Sequence, residues 1–468
     1  MENKEKTAAD ELREKLGLSF KNGAKTLSAE ELAKADAYCE DYKKYLDASK
    51  TEREAVSSAI ALAEQNGFVP YDRKKVYAPG DKVYLNNRGK SLLMAVIGTK
   101  PIEEGVTIAA AHVDSPRLDL KPNPLYENQE LAYFNTHYYG GIKKYQWTTV
   151  PMALHGVVVL KNGEKITVTV GEDEADPVFC VTDLLIHLSG EQMKRPAGEV
   201  VKGEDLDLLI ASRPFKDDDG SEAVKLNVLN MLFEKYGITE PDFLSAELEV
   251  VPAQKAKDVG FDRSLIGAYG HDDRVCAYPA VTAILACGKP AYTAVVVLAD
   301  KEEIGSEGNT GMQGTFLDYF ICDLAKSQGA EGRHVLSNSI CLSADVNAAI
   351  DPLYPDVSEV ANGARLNYGV CITKYTGARG KYDTNDASAE YMGAVRRMLD
   401  DKQVLWQIGE LGKVDAGGGG TVAKYIAKLG VDTVDLGVPV LCMHAPFEIV
   451  SKIDVYMAHC AFLACMVR

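Results

Sequence analysis

Ala294-Val-Val-Val-Leu-Ala-Asp-Lys-Glu302-Glu303-Ile-Gly-Ser306 is the stretch that decides how this chain folds. Its apolar run is too short for an ordinary helix and is rich in valine, the residue type of a strand buried on both faces. Two adjacent carboxylates and a Gly-Ser turn follow at once. Acidic neighbours also occur at Glu30-Glu31, Glu103-Glu104 and Asp217-Asp218, but none of these directly follows such a strand with a Gly-Ser turn after it. In open α/β sheets ligands bind where strands end. A carboxylate pair delivered there can divide its work, one member binding a metal and the other taking a proton from metal-bound water.

The same reading extends outward to other strand ends. Val106-Thr-Ile-Ala-Ala-Ala-His112-Val-Asp114 ends in an imidazole, and Asp114 is placed to hydrogen-bond the far ring nitrogen of His112 and fix its tautomer. Ser339-Ile-Cys-Leu-Ser-Ala-Asp345 ends in a carboxylate, and Val438-Pro-Val-Leu-Cys-Met-His444 in a second imidazole. Gly270-His271-Asp272-Asp273-Arg274 precedes a helical run, Val275–Cys287, in which Pro279 is expected to introduce a kink. Each has a plain structural reading: a polar turn, a helix cap, a core histidine. Together, His112, Asp272, Glu303, Asp345 and His444 make a thiolate-free set of two imidazoles and three carboxylates. That set suits two borderline divalent ions in a catalytic rather than a closed structural site.

Around these strands, residues 8–66 read as helices, with Ser28-Ala-Glu-Glu31 as a capping box. Strands begin near Lys82, at Ser91–Ile97 and Val106–Ala111. Between 122 and 255 the character changes to short strands such as Gly156–Leu160 and Ile166–Val170, separated by turns such as Asn162-Gly163, with an acidic loop at 216–220 expected to be solvated. Strand and helix patterns alternate again beyond 256. Ser451-x-x-Asp454 reads as a capping box opening the final helix. The expectation is an α/β fold: a mixed-sheet catalytic domain from 1–121 and 256–468, split by an inserted, mainly β domain at 122–255.

Composition narrows the function. The 468 residues carry a formal charge of −17, which disfavours nucleic acid and anionic membrane surfaces as partners. Ten cysteines are scattered with no C-x-x-C pair. Those in apolar surroundings, including Cys287, Cys341 and Cys442, are expected to be buried reduced thiols. Met1–Leu18 is charged and lacks an apolar core, and no run reaches the length of a membrane span, so a cytoplasmic protein is expected. The run Ala416-Gly-Gly-Gly-Gly-Thr421 precedes a helical pattern but lacks the lysine of a phosphate loop, and no G-x-S-x-G marks a serine hydrolase.

The strings AAHVDSP, DDRV, DKEEIGSEG, LSADVNAAIDPLYP and MHAPFE occur in order between residues 109 and 448. In that order they resemble the aspartyl aminopeptidases and, more distantly, the tetrahedral aminopeptidases. The resemblance implies a di-zinc aminopeptidase fold with an inserted oligomerisation domain, and a tetrahedral dodecamer enclosing a chamber. It implies that His112 and Asp345 hold one metal, Glu303 and His444 the other, that Asp272 bridges them, that Glu302 is the general base and that Asp114 orients His112. Zinc is expected, with cobalt or manganese as alternatives. His187 resembles a histidine that reaches a neighbouring subunit's site. Lys374 and Tyr382 resemble substrate contacts, although the alignment between them is loose. Gly419, in the Gly417–Gly420 run, resembles part of a substrate loop but with extra glycine.

The expected reaction is release of the N-terminal residue, Asp or Glu if the family name is followed, from peptides with a free N-terminus. The nucleophile would be a hydroxide bridging two metals. A di-metal deacylase or deacetylase of small amides uses the same chemistry and differs in pocket shape. A non-catalytic oligomeric scaffold is disfavoured because every ligand position and the base are present.

Overall fold

The computed structural model describes residues 6–216 and 220–468. The start of the amino-terminal segment and the centre of the acidic loop at 216–220 lie outside the described residues. Nine strands form a mixed sheet in the order Val69–Pro70, Lys82–Asn87, Ser91–Val96, Thr293–Ala299, Val106–His112, Ile340–Ser343, Asp432–Gly437, Val370–Thr373 and Trp406–Ile408. The four central strands, Thr293–Ala299 through Asp432–Gly437, run parallel, with antiparallel neighbours on both sides.

Every residue of Thr293–Ala299 and Val106–His112 is buried, and alternation divides their side chains between two cores. Ala109, Ala111, Val296 and Leu298 pack toward Glu52–Gln65, His271–Ala286 and Lys452–Met466. Ile108, Ala110, Val295 and Val297 pack toward Phe316–Ser327. Helices on both faces explain why these strands read as continuous apolar runs.

A second, antiparallel sheet of seven strands draws on residues between Arg117 and Pro252. It has its own core around Trp147, Met152, Leu154 and Val250, packed with the helix Ala223–Tyr236. Its first strand, Arg117–Asn128, continues almost directly from the strand that ends at His112. A five-stranded sheet includes Leu265–Ala268, Glu448–Ser451 and Pro439–Leu441. No helix among the described residues is long and apolar enough to cross a membrane.

The capping box at Ser28 and Glu31 is present. Three other local readings are corrected. Pro279 lies within regular helix; the non-helical residues are Asp272 and Asp273, because tertiary bonds hold both aspartates outside the helical path. Ser451 and Asp454 form no capping box. Asp454 is buried and accepts the backbone N–H groups of Asn367 at 2.8 Å and Gly369 at 2.7 Å, while Ser451 donates to Asn367 Oδ1 at 2.7 Å. Cys442 is exposed rather than buried, because its strand ends at Leu441 and the chain turns there with φ of 60°. All ten cysteines are free thiols.

Candidate active site

The carboxyl ends of the parallel strands and the turn at Gly270 converge on one cavity of about 410 Å³, lined by Asp272, Glu302, Glu303, Asp345 and His444 among others. Gly270 is required at that turn. Its φ is 76°, and a Cβ there would meet the buried Arg274 guanidinium at 1.8 Å.

Asp272 sits between the two imidazoles. Its Oδ1 is 3.2 Å from His112 Nε2, and its Oδ2 is 3.1 Å from His444 Nε2. His112 Nε2 also faces Asp345 at 3.9 Å, and His444 Nε2 faces Glu303 at 3.5 Å. His112, Glu302 and Asp345 bring ligand atoms within 4.8 Å of one another, as do His112, Asp272 and Glu303, and Asp272, Asp273 and Asp345. Asp273 Oδ1 and Glu303 Oε1 are buried without a hydrogen-bond partner. Buried carboxylates left this way are costly unless a cation pairs with them. The donor set is nitrogen and oxygen only, which fits zinc and comparable divalent ions.

The surrounding residues hold these groups in place. Asp114, fully buried, accepts the backbone N–H of Glu302 on Oδ1 and that of Glu303 on Oδ2, both at 3.1 Å. Its Oδ1 is 3.3 Å from His112 Nδ1, which is also 3.0 Å from the Asp114 carbonyl oxygen. Tyr139 donates to Asp114 Oδ2 at 2.9 Å, and its ring lies under the Arg117 guanidinium at 4.0 Å. His444 Nδ1 is 2.7 Å from the carbonyl oxygen of Gly141, so its outer nitrogen donates there and its inner one faces the cluster. Glu448 accepts the backbone N–H groups of Asp272 at 3.1 Å and His444 at 2.7 Å, tying the two loops together.

Burial is the first influence on every acid here. It pushes Glu302 up to about 7 and Glu448 up to about 8, and drives Glu303 and Asp345 well above the ordinary carboxylate range. Asp272 moves the other way. Burial raises it too, but hydrogen bonds from both imidazoles outweigh burial and hold it below its usual value.

The cavity therefore gathers Asp272, Glu302, Glu303, Asp345 and His444 around His112, with Asp114 beneath them, and includes Gly419 in its wall. It does not gather the remaining candidates. His187 is exposed on the short turn Ile186–Leu188 and lies outside the lining. Lys374 is paired with Asp386, and Tyr382 is exposed; neither lines the cavity. Tyr139, Gly141, Asp273 and Glu448 also belong to the site, and the sequence does not mark them as part of it. Glu448 closes the string MHAPFE, which was the only hint of it; Tyr139 and Gly141 act from the antiparallel sheet, at a distance in sequence that no local pattern reveals.

Residues 45–465 match the family model described as Aminopeptidase I zinc metalloprotease (M18). A probable M18 family aminopeptidase 1 of Clostridium acetobutylicum is 49% identical over 445 residues, spanning 93% of this chain and 96% of that protein. The crystal structure of an M18-family aminopeptidase from Thermotoga maritima has the same fold, with a TM-score of 0.92 at 44% identity over 96% of this chain and 99% of that one. At 20% identity the fold alone is shared with the S. cerevisiae mApe1 dodecamer, with a TM-score of 0.75 over 92% of this chain and 96% of that one.

Proposed function

The chain belongs to the M18 family of zinc metallo-aminopeptidases, and from that premise we propose how its cavity removes the N-terminal residue of a peptide with a free amino terminus. The observation that carries the proposal is Asp272, whose two oxygens face two different imidazoles at 3.2 and 3.1 Å. In this reading His112 and Asp345 hold one divalent ion, Glu303 and His444 hold a second, and Asp272 serves both. Zinc is the expected ion at each position, with cobalt or manganese able to substitute. Bound there, such ions supply Lewis acidity and a water acidic enough to react at neutral pH.

The chain's own groups do the rest. Glu302 takes the proton of the attacking water on its carboxylate and returns it to the leaving amine nitrogen, a role its place in the cavity wall beside Glu303 and Asp345 allows. Asp114 holds the Glu302 and Glu303 backbone and the outer nitrogen of His112, so base and ligands move as one unit. The acidic lining around Glu303 receives the free α-amine, which restricts the reaction to chain ends.

The exposed apolar residues Leu184, Leu185, Ile186 and Leu188 surround His187, and such a patch supports burial against another copy of the chain. We read the assembly as a tetrahedral dodecamer in the cytoplasm, with His187 reaching a neighbour's cavity. The dodecameric fold relative supports this reading.

The test compares unblocked with N-acetylated peptides, with chelator and after zinc, cobalt or manganese is restored, for the wild type and Glu302→Gln. Release should need both a free terminus and metal. Glu302→Gln should lower kcat by about 10²–10⁴-fold with metal content unchanged. Near-normal kcat in that variant would remove Glu302 from the role of base.

A further inference from the structure

The cavity has a second arm, floored by buried polar side chains with no cation paired to them among the described residues. Strands Ile340–Ser343, Asp432–Gly437 and Val370–Thr373 lie side by side, and their register sets Ser343 opposite Asp435 and Asp435 opposite Thr373. Ser343 stands two residues before Asp345, so this row lies roughly 7 Å deeper than the metal-binding strand ends, at about 3.3 Å per residue.

Asp435 lines the cavity and is 4% exposed; the groups that hydrogen-bond its carboxylate are the hydroxyls of Thr421 and Ser343, and no cation pairs with it among the described residues. Asn347 Oδ1 is also buried and without a partner, although the Asn347 amide donates to Thr373 Oγ1 at 2.9 Å. Hydroxyls alone compensate a buried carboxylate poorly, so this floor beside a substrate cavity calls for a charged donor that arrives with the substrate.

The cations nearby are already engaged. Lys424 is the single lysine or arginine lining the cavity among the described residues, and its Nζ is 2.8 Å from Asp383. Lys374 and Lys381 both pair with Asp386, and neither lines the cavity. An acidic side chain entering this arm would meet further acceptors and no free cation. A neutral one would leave Asp435 unpaired. The long apolar stem of lysine or arginine can pass Val346, Leu411 and Met443 in the wall and carry donors to the floor.

We propose that this arm receives the side chain of the substrate's N-terminal residue and selects lysine or arginine, with Asp435 as the specificity-determining carboxylate. The inference rests on the aminopeptidase reading of the adjoining metal site.

The experiment uses the zinc-loaded, full-length enzyme and peptides that differ only in an N-terminal Lys, Arg, Leu, Asp or Glu. Lysine and arginine should exceed leucine in kcat/KM by about tenfold and the acidic residues by more. The isosteric Asp435→Asn should lower the lysine-to-leucine ratio of kcat/KM at least tenfold, a readout that general damage to folding does not move. Highest activity on Asp or Glu, the preference implied by the family name, or an unchanged ratio in Asp435→Asn, overturns the inference. Leucine release without a basic preference overturns it while leaving the aminopeptidase reading intact. If no residue is released from any peptide, that reading fails instead. Calorimetric binding of lysinamide, leucinamide and aspartic acid α-amide then decides the arm's preference: lysinamide tightest supports it, and any other order overturns it.

Discussion

Asp114→Asn is the substitution whose consequence can be worked out most fully. Asp114 Oδ1 accepts the Glu302 N–H and faces His112 Nδ1, and Oδ2 accepts the Glu303 N–H and the Tyr139 hydroxyl. Burial alone would raise this carboxyl, but His112, Tyr139 and nearby Arg117 outweigh burial and hold it below its usual value, so it is a charged acceptor. An asparagine must turn its NH2 toward one pair of donors. The Tyr139 hydroxyl can rotate to accept, whereas a backbone N–H cannot, so the amide nitrogen should settle on the Oδ2 side and leave the Glu303 N–H facing a donor. One orphaned buried donor costs about 1–3 kcal/mol. His112 keeps the Asp114 carbonyl oxygen at 3.0 Å but loses its carboxylate partner. Outer partners of this kind are worth about 10–100-fold in metal affinity. Competition with a zinc chelator and chemical denaturation of the zinc-loaded protein measure the two effects. If Tyr139 is the group that yields, Asp114→Asn should be more damaging in a Tyr139→Phe background, by a coupling of roughly 0.5–3 kcal/mol. Wild-type zinc affinity in Asp114→Asn, or strict additivity with Tyr139→Phe, would refute the reasoning.

Two further outcomes are expected. His155, buried between Glu54 at 2.8 Å and Glu172 at 3.1 Å, joins the helix Glu52–Gln65 to the antiparallel sheet. Burial works against its charge, but the two carboxylates outweigh burial and raise it to about 9. Because the folded value lies above the unfolded one of about 6.5, its contribution is complete below pH 6.5 and is lost as pH rises through 9. At 1.36 kcal/mol per unit the ceiling is about 3 kcal/mol. The stability gap between wild type and His155→Gln, measured in urea, should shrink across that window; a gap that is constant with pH would contradict the assignment. Separately, a Cβ on Gly437 would stand 1.7 Å from the Asp345 carbonyl oxygen. Gly437→Ala should therefore displace Asp345 and lower kcat/KM by about 10²-fold, since misplacement near 1 Å is enough for that. Full activity in Gly437→Ala would show that Asp345 tolerates the shift.

The parts of this molecule that were legible in the sequence share a property: their meaning is fixed within a few residues. Apolar runs ending in His112, Glu302-Glu303, Asp345 and His444 declare both a doubly covered sheet and a candidate site at its edge, because strands covered on both faces are largely apolar and ligands bind where such strands end. The Ser28–Glu31 box is legible for the same reason. What failed was local inference overruled from a distance. Ser451 and Asp454 have the spacing of a cap, yet the backbone of Asn367 and Gly369 claims the carboxylate. Pro279 has the identity of a helix breaker, but the break falls at Asp272 and Asp273, where the site needs its carboxylates.

The antiparallel sheet shows why the remaining site residues were out of reach. Tyr139 ends the strand Leu131–Tyr139, which pairs with Arg117–Asn128, and Gly141 stands just beyond it; that pairing brings Tyr139 opposite Arg117 and within reach of Asp114. The same segment gives the Gly141 carbonyl oxygen to His444, more than three hundred positions away. Neither contact leaves a trace in composition or spacing, because each depends on register between strands whose order is set by the whole fold. Yet they anchor the outer nitrogen of one imidazole and the carboxylate behind the other. A sheet that the sequence marks only as a change of texture is therefore a structural support of the edge proposed to bind metal, and loosening its register should disturb His444 and Asp114 together rather than one at a time.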